Sequence, residues 1–460
     1  METTKELEVF RSAPVPKAVL KNALPAMAAM LMVLIYNLAD TFFIGLTHDA
    51  YQVAAVSMAT PVFLIFMSVG NVFGIGGTSV ISRALGENRM DYAKRVCSFC
   101  MWACVAVGIA MSLLFFIFME QILTVMGTST DTYGFAKSYL TTVTFGGPFV
   151  LIANCFSNVI RAEGQPGKAM LGQLLGNLLN LVLDPVMILW FDWGITGAAV
   201  ATVIGNVFGA CFYIIYFLRK KSILSIHPRD FTMREKVCSG VLAIGIPASL
   251  GSLLMSVSQI VMNGQMAFFG DMAVAGIGVA SKVTMITGMV CIGFGQGVQA
   301  LLGFCVGAKL WARFKKVMTF SVVFSLILSS FMTGICYLFT DQIVSAFLTE
   351  PAAFDFAVQF IRILLTTSFL FGMFYVLANA LQASGAATAA LIINLSRQGI
   401  IYIPALFVLK AALGANGLAW AQPVADVLST LLVVFLYIRT LRRLESGSGK
   451  LKTAAPSKGQ

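Results

Sequence analysis

The chain has 460 residues, of which 58% are hydrophobic and 11% charged, with a mean hydropathy of +0.87; soluble domains carry about 25% charged residues. This composition excludes a soluble globular protein and predicts an all-α polytopic membrane protein, because apolar runs long enough to cross about 30 Å of hydrocarbon recur along its whole length. The net charge of +11 would suggest nucleic acid as a partner in a soluble chain. Here the cations sit at joints between apolar runs, which points to the lipid bilayer as partner and away from nucleic acid.

Twelve spans are expected, beginning near residues 22, 53, 96, 135, 169, 194, 237, 273, 317, 356, 389 and 416. Residues 1–21 form an N-terminal segment without the pattern of a cleavable signal, so the first run is expected to stay as an anchor. Lys and Arg gather at alternate joints: before the first span, over Arg83–Arg95, at Arg161 and Lys168, over Arg219–Lys236, over Lys309–Lys316, and from Arg439 onward. The joints between them, 47–52, 120–134 and 340–355, carry more acid than base. The positive-inside bias then places both termini and the basic loops in the cytoplasm of a cell (inner or plasma) membrane. The tail 439–460 is basic and rich in Gly, Ser and Lys, a composition expected to be disordered.

The first span carries Pro25, which removes a backbone donor and permits a bend, and further on Tyr36, Asn37 and Asp40 within one helical turn. After the fourth span comes RAEGQPGKAM, where Glu163 lies between Arg161 and Lys168. A solvated loop acid is the plain expectation for Glu163, and a role in an inward gate the alternative. The fifth span, Gly172 to Trp190, carries a polar seam of Gln173, Asn177, Asn180 and Asp184, spaced so that all share one helical face. A carboxylate inside such a run costs about 2.5–3.5 kcal/mol on insertion scales and marks an ion or substrate path by default. In the sixth span Thr202 and Asn206 face one way.

The second half repeats the first. Phe73, Gly74, Gly76, Gly86, Lys94 and Val96 recur 221 residues later as Phe294, Gly295, Gly297, Gly307, Lys315 and Val317. Each half holds an even number of spans, so the repeat is parallel and predicts two pseudo-symmetric six-helix lobes, 22–218 and 237–438, joined by a cytoplasmic loop, 219–236. The second lobe has polar stripes with little charge: Ser252, Ser256, Gln259 and Asn263 on the seventh span, and Asn394, Arg397 and Gln398 on the eleventh. A neutral polar wall suits varied substrates. Arg397 reads either as a structural partner of Asp426 or as a residue that tunes the lobe interface. The cysteines lie mostly inside spans, where a small packing residue is the plain reading. No phosphate-binding loop and no paired histidines occur, so neither ATP-driven transport nor hydrolysis is expected, and the chain reads as no enzyme.

LPAMAAMLMVLIYNLADTFFIG in the first span, RAEGQPGKAM after the fourth, NLLNLVLDPVMI in the fifth and GITGAAVATVIGN opening the sixth resemble the multidrug and toxic compound extrusion (MATE) family, in the branch of DNA-damage-inducible protein F and its multidrug-exporting relatives. The resemblance covers nearly the whole chain. It implies a V-shaped twelve-helix antiporter, sufficient as a monomer, that exports amphipathic or cationic compounds in exchange for H+ or Na+ and holds no cofactor beyond that ion. It also implies a cation site at Asp40, Asn180, Asp184 and Thr202, and links a bend of the Pro25 helix to cation binding. Another branch places acids in the seventh and tenth spans, where this chain has none. From the residues alone the two carboxylates, amide oxygens and hydroxyl suit a proton pair or an alkali cation equally. A flippase for lipids or lipid-linked oligosaccharides, built on the same paired lobes, is the alternative function.

Overall fold

A computed structural model describes residues 2–453 except 48, 127, 220, 221 and 349. The described residues form helices and no strand. In a bilayer, N–H and C=O groups have no water to bond, so a long apolar run must satisfy them internally as a helix. An amphipathic α1 (Glu2–Ser12) precedes the first lobe, which comprises α2 (Val15–Gly45), α3 (Ala50–Gly86), α4 (Met90–Ile117), the short α5 (Met119–Val125), α6 (Thr130–Ala162), α7 (Pro166–Pro185) and α8 (Gly194–Leu218). The second lobe comprises α9 (Val237–Met266), α10 (Asp271–Gly307), α11 (Trp311–Leu338), the short α12 (Thr340–Ser345), α13 (Pro351–Ser368), α14 (Phe371–Ala383), α15 (Ala387–Leu395), α16 (Tyr402–Leu413) and α17 (Ala415–Thr453). Among the described residues eleven helical stretches are long and apolar enough to cross a membrane, and the α13–α14 pair, bent by 48°, counts as a twelfth when taken as one broken span.

Helix starts follow local chemistry. Proline opens α7 and α13, where its missing N–H costs nothing. Ser129 caps α6 in a reciprocal box with Thr132. Left-handed backbone recurs at repeat partners: Asn88 (φ 59°) and Lys309 (φ 56°), Gly164 (φ 83°) and Gly385 (φ 75°), Gly194 (φ 48°) and Gly414 (φ 62°). The short helices α5 and α12 also begin at repeat partners, after Phe118 and Phe339. The duplication therefore extends to individual turns.

The lobes meet along the half of the molecule that carries the Lys- and Arg-rich joints. There α3 packs on α9, and α2 on α10. A Cβ on Gly293 would stand 2.8 Å from the Met27 Cα and one on Gly297 2.5 Å from the Ala23 Cα, so these glycines let two backbones touch. Ser249 Oγ donates to the Ser68 carbonyl at 2.7 Å, Ser79 Oγ to that of Gln382 at 2.5 Å, and Arg161 to Gln296 Oε1 at 2.9 Å. Past Ser249, toward the acidic face, Ser252, Gln259 and Asn263 of α9 are exposed.

Three features depart from expectation. α1 and the two short helices were not foreseen. α17 runs on through the basic segment to Thr453, carried by good helix formers as far as Glu445 and continuing through Gly447 and Gly449 against their propensity; the expectation for 454–460 lies outside the described residues.

Candidate functional site

The first lobe holds a small polar cavity between α2, α3, α6, α7 and α8. Its position follows from glycine on facing helices. A Cβ on Gly176 would stand 2.7 Å from the Gly205 carbonyl oxygen, and one on Gly205 2.6 Å from that of Gly176. Because both lack a Cβ, α7 and α8 approach closely and Asn180 is set against Thr202. Asn180 Nδ2 lies 3.3 Å from Thr202 Oγ1 and 3.3 Å from Asp184 Oδ1. Just beyond Asp184, Pro185 withholds a donor and the chain takes one wider, π-helical turn at Val186–Trp190.

Tyr36, Gln173, Asn177, Asn180, Thr202 and Asn206 line this cavity, together with Asn154 and Ser157 of α6. Asn37 lies on the same helix as Tyr36, partly buried and engaged in contacts of its own. Asp184 is fully buried at the end of the seam, and Asp40 of α2 is near enough to act on it electrostatically. Tyr139 of α6 feels both carboxylates and Tyr36, a member of the cluster the sequence did not reveal. Spacing could have offered Asn154 and Ser157, three apart on one face; nothing local marked Tyr139.

Several buried polar atoms here have no hydrogen-bond partner: Asp40 Oδ1, Asn180 Oδ1, Asp184 Oδ2, Gln173 Oε1 and Asn177 Nδ2. Buried polar groups are normally satisfied, so an orphaned set in one place requires explanation. Three are oxygens of groups that the sequence singled out for cation coupling. Hard oxygen donors, two of them carboxylates, can take up a proton or an alkali cation. Among the described residues no cluster of three or more His, Cys, Asp or Glu suits a metal ion, so any cation here would rely on neutral oxygens as well. Pro25 lies within an α2 that continues through it as one helix.

The second lobe arranges its polar residues differently. Gln259 Nε2 donates to Asn263 Oδ1 at 3.2 Å on the exposed face of α9. Asn394 packs where a Cβ on Gly251 would stand, 3.0 Å from its own Cβ, and its Nδ2 has no partner. The Gln398 carbonyl accepts from Ser258. Arg397 is withdrawn from the lobe interface: its Nε donates to Asp426 Oδ1 at 2.9 Å and its NH1 to the Tyr375 hydroxyl at 2.7 Å. Phe371 and Phe374 lie within 4.8 Å of the guanidinium carbon, so ion pair, hydrogen bond and ring faces consume the cation.

Glu163 is fully buried, contrary to the expectation of a solvated loop acid. It accepts from the Tyr216 hydroxyl at 2.6 Å and Ser222 Oγ at 2.5 Å, and from backbone N–H groups of Ile223 and Leu224. The carboxyl thus ties the start of the inter-lobe loop to the end of α6. Burial pushes it up to about 7, with the four hydrogen bonds pulling the other way.

The repeated lobes and the buried polar cavity in one of them define a helical membrane transporter. Residues 25–186 and 247–408 each match the MatE family model, two segments that begin at the paired prolines Pro25 and Pro247. The chain belongs to this family, that of multidrug and toxic compound extrusion transporters. It is 31% identical over 440 residues to the multidrug export protein MepA of Staphylococcus aureus (strain NCTC 8325 / PS 47), covering 94% of this chain and 96% of the relative. It is 29% identical over 435 residues to MepA of Staphylococcus saprophyticus, with the same coverage. Among solved structures, it is similar to a multidrug resistance MATE family transporter of the MOP superfamily in an outward-facing conformation (TM-score 0.91, 21% identity, 96% of this chain and 99% of that one). It is also similar to a MOP superfamily transporter from Pyrococcus furiosus (TM-score 0.90, 22% identity, 96% and 99%). At these identities the structures bear on the fold alone.

Proposed function

We propose that the chain is a secondary antiporter that exports amphipathic or cationic small molecules in exchange for H+ or Na+. The incoming cation is taken up in the first lobe at Asp40, Asn180, Asp184 and Thr202. The observation that carries this reading is the buried, unpartnered set of oxygens Asp40 Oδ1, Asn180 Oδ1 and Asp184 Oδ2 beside a polar cavity. A proton or an alkali cation answers the charge that burial makes costly. The multidrug export assigned by name to the staphylococcal relatives supports the substrate class. Placement of Lys and Arg supports a cytoplasmic basic face, both termini inside, in the cell membrane. One chain holds the entire cavity, so a monomer suffices.

Cation and exported compound favour opposite arrangements of the lobes, so each weakens the other's binding by the same factor. Asn180 positions the Asp184 carboxylate and the Thr202 hydroxyl toward one point, and the polar wall of the cavity accommodates what the cation displaces.

The test is dye export by the purified chain in proteoliposomes, with proton and sodium gradients imposed separately. Asp40→Asn and Asp184→Asn, each checked for normal folding, are expected to abolish gradient-driven export. Undiminished export by both variants rejects the site. Gradient-independent movement of labelled lipid, with no dye export, rejects antiport in favour of a flippase.

A further inference from the structure

On the basic face an open cleft lies between the α1–α2 elbow and the α10–α11 turn. Arg11, Lys309, Arg313 and Lys316 line it with Trp311, and no Asp or Glu does. Arg313 builds one wall: its Nε donates to the Phe10 carbonyl at 2.7 Å and its NH2 to those of Ala13 at 2.7 Å and Val9 at 3.1 Å. These bonds satisfy the terminal carbonyls of α1 and pin that helix to α11. Lys309 and Lys316 are exposed and have no acidic partner among the described residues.

The internal repeat shows what such a place requires. Lys316 is the repeat partner of Arg95, and Arg95 is answered by the Glu235 carboxylate at 2.7 Å. Tyr92, the partner of Arg313, likewise reaches the backbone of the segment entering its neighbouring lobe, at the Glu235 carbonyl. In the same turn Glu87 faces Arg89 at 3.5 Å and Asp91 faces Lys94 at 3.6 Å. In the other copy those three acids are replaced: Ala13 stands at the position of Glu235, Ala308 at that of Glu87 and Ala312 at that of Asp91. A cation, Lys309, has replaced Asn88. One copy supplies its own anions; the other keeps four cations without those three carboxylates, and of the four only Lys315 is answered by an acid among the described residues, Glu445 at 2.6 Å.

We propose that this cleft binds the phosphoryl headgroup of an anionic phospholipid from the adjoining leaflet, standing where the Glu235 carboxylate stands in the other half. Val15 and Trp311 open the membrane helices α2 and α11, so the cleft lies at headgroup depth, where a tryptophan is at home. Basic pockets between helices at this depth recognise lipid phosphates. Because α2 belongs to one lobe and α11 to the other, a headgroup held here braces the closed basic face.

The experiment titrates the full chain in uncharged detergent with short-chain phosphatidylglycerol or phosphatidylcholine and reads retained lipid by native mass spectrometry. Phosphatidylglycerol is expected to be retained in preference to phosphatidylcholine. Lys309→Gln with Lys316→Gln is expected to weaken it roughly thirty-fold, the effect of two surface cations. Ala312→Asp, which restores one of the lost acids at an exposed first-turn position, is expected to weaken it with the fold undisturbed. Equal retention of both lipids, or equal retention of phosphatidylglycerol by wild type and both variants, overturns the proposal. Displacement of the lipid by millimolar inorganic phosphate identifies a free-anion site instead and overturns it as well.

Discussion

Replacing Glu163 with Gln removes the charge from a fully buried carboxyl and leaves a side chain of the same shape beside Tyr216 and Ser222. Its consequence is a change in how stability depends on pH. Below about pH 4.5, its ordinary value, the carboxyl is protonated in the folded and the unfolded chain alike. Between 4.5 and about 7 only the folded chain retains the proton, so the unfolded state binds fewer protons and stability falls as pH rises. At 1.36 kcal/mol per unit the loss comes to about 3 kcal/mol, complete above pH 7. The sign is opposite to that of a salt-bridged acid, whose stabilisation is lost on acidification. The assay is unfolding of the purified chain in mixed micelles, followed by tryptophan fluorescence at several pH values between 4 and 8, for wild type and Glu163→Gln. The difference between the two is expected to move by about 3 kcal/mol across that window, the variant gaining at alkaline pH. Parallel curves would refute the claim that burial dominates the four hydrogen bonds at this carboxyl.

Arg397→Ala leaves Asp426 buried without its cation and is expected to cost about 3–5 kcal/mol, while Arg397→Met combined with Asp426→Leu recovers most of it; thermal unfolding in detergent reads both. Asn180→Ala strips the donor shared by Asp184 and Thr202, and about 1–3 kcal/mol of lost satisfaction should appear as weaker cation binding in isothermal titration. Gly297→Leu drives a side chain into the Ala23 backbone, so disulfide cross-linking of cysteines introduced across α2 and α10 on the basic face should fall several-fold, with the fold of each lobe intact on circular dichroism.

The parts of this molecule legible in sequence are those written in short-range spacing. Gln173, Asn177, Asn180 and Asp184 announced a polar face because a helix returns every three to four residues. Phe73 to Val96 announced a duplication because its copy kept the same glycines. Glu163 was misread because its burial depends on Tyr216 and Ser222, 53 and 59 residues away, and no local pattern encodes such a pairing. Tyr139 escaped for the same reason: its membership in the acid cluster is a matter of how α6 lies against α2 and α7. Arg397 had two readings until Asp426, on a different helix, was seen to hold it. The cleft at Lys309 was hidden in a count of cations that explained topology and left chemistry aside.

The glycine contacts of α10 with α2 have a mechanical consequence. Two backbones that meet at Gly293 and Gly297 hold few side chains in each other's grooves, so separating them resets few rotamers and breaks little interlocked packing. Such a contact works as a plain bearing: it lets two backbones touch while storing little preference for one relative position. Any preference for one arrangement of the lobes therefore resides elsewhere, in the hydrogen bonds that Ser249, Ser79 and Arg161 make across the interface and in whatever binds beside the polar cavity of the first lobe.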